Sequence, residues 1–113
     1  MTESPKLPHH RLIAYGVAIE LLDAVRAVRI TDPVLRDQAL RAAKSACLNC
    51  AEGAGRVSPR DKARSYAIAR AEAGEAAAAV EIAVRAGDAP QAGLPAVLRH
   101  ADRLVAMLTR LVR

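Results

Sequence analysis

Apolar residues recur every three and four positions along almost the whole chain, which is the period of a helix packed on one side. In the first segment, predicted as a helix from about His9 to Arg29, Ala14, Ala18, Leu21, Val25 and Val28 repeat at spacings of 4, 3, 4 and 3. A second line, Leu12, Tyr15, Ile19 and Leu22, runs beside it, so this helix carries either one wide stripe or one face for a core and one for a neighbouring subunit. Asp32 as N-cap and Pro33 at the first helical position start helix 2, which the pattern extends to about Ala54 through Leu40, Ala43, Cys47 and Cys50. Gly53 and Gly55 then supply residues suited to a left-handed helix end.

Ser58, Pro59 and Asp61 restart the chain as N-cap, first helical residue and first-turn acid. Helix 3 is predicted from there to about Ala86, with a seam through Tyr66, Ala69, Ala73, Ala76, Val80 and Ala83. Gly74 lies within it and reads as a point of close helix contact. The breaker-rich stretch from Gly87 to Gly93 separates it from helix 4, which starts near Leu94 or Pro95. There Leu94, Val97, Ala101, Leu104, Leu108 and Leu111 form one line, and Leu98, Val105 and Val112 a second. Four helices with short connections predict an all-α, antiparallel up-down-up-down four-helix bundle over residues 9–113, preceded by a disordered lead-in, 1–8.

Composition sharpens this picture in one respect. Twenty-six of 113 residues are Ala and only Tyr15 and Tyr66 are aromatic, so the predicted core is thin. An Ala seam lets helices approach closely but removes little apolar surface, and such a chain gains from burying a further face against copies of itself. No apolar run approaches the ~18 residues that span a bilayer. The first ten residues lack the apolar segment of a signal peptide, and Cys47 and Cys50 lie three apart on one helix. Together these point to a cytoplasmic protein with free, buried thiols.

Charge is concentrated. Residues 56–70 hold Arg56, Arg60, Lys62, Arg64 and Arg70 against Asp61 alone, while the stretches on either side nearly cancel. Five cations around a helix start make a candidate phosphate-binding surface, since the free N–H groups there also favour anions. The competing reading is a solvated turn, with Glu52 and Arg56 as an i,i+4 pair. No aromatic residues alternate with the cations, which argues against sequence-specific reading of single strands.

Catalytic chemistry finds little footing. Cys47 and Cys50 are two donors where zinc needs four, and His9, His10 and His100 lie far from them in sequence. No Glu stands three residues before a His, as a di-iron bundle requires, and neither a P-loop nor a G-x-S-x-G motif is present. Glu72 and Glu75 read as ion-pairing groups. The residues predict no catalytic site, cofactor or metal.

The turn Asn49-Cys50-Ala51-Glu52-Gly53-Ala54-Gly55-Arg56-Val57-Ser58 resembles the N-x-A-E-G-x-G-R-x-S signature of a bacterial four-helix-bundle family, the ribosomal-RNA intervening-sequence proteins. Tyr66-Ala67-Ile68-Ala69-Arg70 is similar to that family's following aromatic-x-x-Ile-Ala-Arg block, and Glu75 stands where the family has a Glu before an apolar residue. The likeness spans roughly Leu35 to Gly87; the family's Gly-Ser after Ile-Ala-Arg is here Ala71-Glu72. The resemblance implies a homo-oligomer, a ring of five bundles, in a branch for which no catalytic activity is established. A related branch, the accessory proteins of diversity-generating retroelements, implies contact with nucleic acid and a reverse transcriptase. The expectation is therefore a non-enzymatic accessory protein that binds RNA or DNA at its basic turn. The alternative is a structural or protein-interaction module that binds no nucleic acid.

Overall fold

The computed structural model describes residues 6–113, so most of the expected lead-in, residues 1–5, lies outside the described residues. Four helices form the bundle: α1 (Ile13–Ala27), α2 (Pro33–Gly55), α3 (Pro59–Arg85) and α4 (Leu94–Val112). Each packs against the next and α4 closes back on α1, which gives the antiparallel four-helix bundle that the periodicity predicts. Among the described residues there is no strand, and no helix is long and apolar enough to cross a membrane.

The start signals act as the sequence implies. An Asp32 carboxylate oxygen accepts from the Leu35 N–H at 2.9 Å, and Ser58 Oγ accepts from the Asp61 N–H at 3.1 Å. Pro33 and Pro59 follow as first helical residues, where a missing N–H costs nothing. Helix α3 ends in a Schellman turn. Gly87 adopts φ +83°, its N–H reaches Val84 O at 3.1 Å, and the Asp88 N–H reaches Ala83 O at 2.7 Å.

The seam predicted for α3 is buried at all six positions, and Leu21, Val97, Leu104 and Leu108 fill the side of the core between α1 and α4. Several expectations need correcting. The α-helical part of the first segment is shorter than His9–Arg29. Pro8–Arg11 form a 3₁₀ turn, Leu12 is extended, and the helix ends at Ala27. Val28 and Ile30 still reach the core, but from an extended linker. The linker is fixed by Thr31, whose N–H and hydroxyl both donate to Asp88 O, at 2.8 and 3.1 Å. The second line of α1, Leu12, Tyr15, Ile19 and Leu22, is half-buried and packs against the rim of the core. Leu111, last of its line on α4, is exposed. A strict heptad drifts by about 20° per repeat on a straight helix, and the drift carries the final position off the seam.

The glycines also trade roles. Gly74 lies on an open face, where an added Cβ meets nothing within 4 Å. Neither Gly53 nor Gly55 has a positive φ; Gly53 is helical and buried. A Cβ there would overlap the Tyr66 ring, with Cδ1 at 2.7 Å. Gly53 therefore makes room for Tyr66, the one buried aromatic side chain among the described residues, and the close helix contact belongs there.

Candidate nucleic-acid interface

The α2–α3 turn forms because two helices end and begin within four residues. The backbone leaves the helix at Arg56 with φ −72° and ψ 152°, and Ser58 caps the next one. Val57 projects between them, 95% exposed. Five cations surround this corner in sequence, and the fold gives them three different tasks.

Lys62 is turned inward. Its ammonium donates to Gly53 O at 3.2 Å and Ala54 O at 3.0 Å, carbonyls of the last turn of α2, of which Gly53 O otherwise has only a long 3.4 Å bond from the Arg56 N–H. A cation at that position also opposes the negative end of the helix dipole. Lys62 thus closes one helix from the first turn of the next.

Arg70 points along the bundle to α4. Its Nε donates to Thr109 Oγ1 at 2.8 Å, and that hydroxyl donates to Val105 O at 2.7 Å. Six residues beyond Arg64, it lies about 9 Å further down the helix and on another face.

Arg56, Arg60 and Arg64 remain exposed at the turn. Arg56 pairs loosely with Glu52, at 3.7 Å, the i,i+4 contact that the spacing predicts. Arg60 and Arg64 form no ion pair among the described residues. Arg56 and Arg64 flank a shallow notch with Glu52, Asp61, Ser65 and Ile68, so acid and base alternate there. Arg60 and Arg64 are four apart and share a helix face, which presents two guanidinium groups about 6 Å apart along the axis. Such a pair suits adjacent phosphates better than a single buried anion.

The other candidate groups take structural places. Arg41 on α2 bridges Glu72 at 3.4 Å and Glu75 at 3.0 Å, so both carboxylates bind a guanidinium across the helix pair. This link was only half legible, since nothing in the sequence marks Arg41 as the partner. His100 Nδ1 lies 3.2 Å from a Glu20 carboxylate oxygen and connects α4 to α1. Cys47 and Cys50 are buried and unpaired. Loss of solvent pushes the Cys47 thiol up to about 11, with help from the Asp23 charge, and Cys50 to about 12. At neutral pH both are protonated, poor as nucleophiles and as metal ligands. Burial, and then the neighbouring Cys50, also raises the Tyr66 phenol. Among the described residues no three His, Cys, Asp or Glu side chains gather as a metal site.

Residues 11–110 match the model of a family described as 23S rRNA-intervening sequence protein. No curated protein matches the chain.

Proposed function

We propose that this chain, which belongs to the 23S rRNA-intervening sequence protein family, is a cytoplasmic, non-enzymatic accessory protein that binds nucleic-acid backbone through its α2–α3 turn. It does so as a homo-oligomer, a pentameric ring that repeats the turn around an axis. One observation carries the reading: Arg60 and Arg64 stand exposed on one face of α3 with no ion pair among the described residues, in the one stretch of sequence with a strong cationic excess, and Arg64 flanks a notch with Arg56. Phosphate contacts of this kind need no base-reading groups, and each adds to affinity in a salt-dependent way. The family's description mentions an intervening sequence of 23S rRNA, so RNA is the first ligand to test.

The test is binding of a random RNA duplex and a single strand at low and moderate salt, with light scattering on the same samples. The reading expects affinity that falls steeply with salt and is lost when Arg56, Arg60 and Arg64 are reversed to Glu. Unchanged affinity in that variant would overturn it, and a strict monomer at micromolar concentration would overturn the ring.

A second reading draws on a different observation. Leu48 on α2 and Ile82 on α3 are 69% and 54% exposed, which suits a structural or protein-interaction module with a protein partner, a reverse transcriptase included. Under it, Leu48→Ser abolishes partner capture while the arginine reversals leave it intact.

A further inference from the structure

The end of the bundle opposite the basic turn holds a cavity of about 220 Å³ between α1, the linker after it and α2. Its floor is aliphatic: Val25, Val28, Ile30 and Leu40. Its rim is cationic: Arg26, Arg36 and Lys44. We propose that this cavity binds a single-chain aliphatic carboxylate, with the hydrocarbon chain on the floor and the head group among the three cations.

Each part of the site restricts the ligand. The floor side chains carry no polar group and no aromatic ring, so a polar substituent there would lose its water without gaining a partner. The body of the ligand is therefore hydrocarbon. The rim selects charge. Arg26 lies 3.7 Å from Asp23, and Arg36 lies 3.6 Å from Asp37. Both pairs are exposed and loose, a kind worth little, so either guanidinium can turn to a better acceptor. Lys44 forms no ion pair among the described residues. A carboxylate at the rim would meet three donors, whereas an ammonium would face a net positive rim, three cations against Asp23 and Asp37.

The site is also built in advance. A Cβ on Gly93 would come within 2.8 Å of Val28 Cγ2, so the loop before α4 is pressed against the floor. The two hydrogen bonds from Thr31 to Asp88 O hold the linker just beyond Ile30. A preformed cavity spares the ligand the cost of ordering its own site. Its volume is below the 300–1,000 Å³ or so of drug-sized pockets, which selects a short chain and excludes the paired acyl chains of a phospholipid.

The experiment is a titration of the full isotope-labelled chain with octanoate, octylammonium and octanol, followed by backbone amide shifts. Octanoate is expected to saturate, with shifts centred on Val25, Ile30, Leu40 and Lys44, and to bind more tightly than either of the others. Lys44→Glu and Arg36→Glu, both at exposed positions, are expected to weaken octanoate about fivefold each with helical circular dichroism unchanged. Equal affinity for octylammonium, shifts centred on another region, or indifference to both charge reversals would overturn the proposal. So would binding to anionic phospholipid vesicles without octanoate binding, which would assign the surface to a membrane.

Discussion

The α2–α3 hairpin and the α1–α4 pair close the same bundle by opposite means. Between α2 and α3 the buried residues are almost all small: Ala39, Ala42, Ala43, Ala46, Cys47, Cys50 and Gly53 on one side, Ala69, Ala73, Ala76 and Ala77 on the other. The helices gain from close approach, and the one large ring, Tyr66, fits because the residue opposite is glycine. Between α1 and α4 the work falls to Val17, Leu21, Val97, Leu104 and Leu108, which fill space by bulk. A seam of small residues tolerates truncation and resists enlargement; a seam of large ones does the reverse.

That contrast is open to direct attack. Leu104→Ala, which opens a cavity on the bulky side, is expected to cost about 3 kcal/mol in urea unfolding. Gly53→Ala adds a single methyl on the tight side, yet is expected to cost about 2 kcal/mol because the Tyr66 ring must move. In a Tyr66→Ala background most of that second penalty should vanish; a cycle with no coupling would show that Gly53 and Tyr66 do not share the space. The smallest effect has the opposite sign. Gly74→Ala, in open space on a helix, should stabilise by roughly 0.5–1 kcal/mol, read as a raised midpoint in the same titration.

The two glycines also show what a sequence conceals. Gly53 and Gly74 both interrupt helical patterns, and nothing local separates the one that admits a ring from the one that faces water. The deciding residue is thirteen positions away for Gly53, on the next helix. Period and caps are local, so the α3 seam and the starts at Asp32 and Ser58 were legible from the spacing of side chains. Val28 was read as a helical seam residue because burial and helix coincide at a spacing of three; the extended linker that buries it depends on Gly93 and Asp88. The cavity behind it went unseen for the same reason, since its lining comes from three segments whose charges nearly cancel in sequence. At the turn, the clustering of cations was plain. Their division was not, because Lys62 finds the carbonyls of Gly53 and Ala54 only after the chain has folded back.

That division is the centre of the account, and the salt dependence of RNA affinity tests it. It is best measured alongside thermal midpoints for the unmodified protein, Lys62→Met and the Arg60→Glu, Arg64→Glu pair. The pair should flatten the slope of log affinity against log salt by about 2 for each bundle that touches the duplex, taking the B-form value of near 0.9 per phosphate contact, and leave the midpoint in place. Lys62→Met should lower the midpoint and leave the slope unchanged. A slope that survives the paired reversal, or one that falls as far on losing Lys62, would contradict the account.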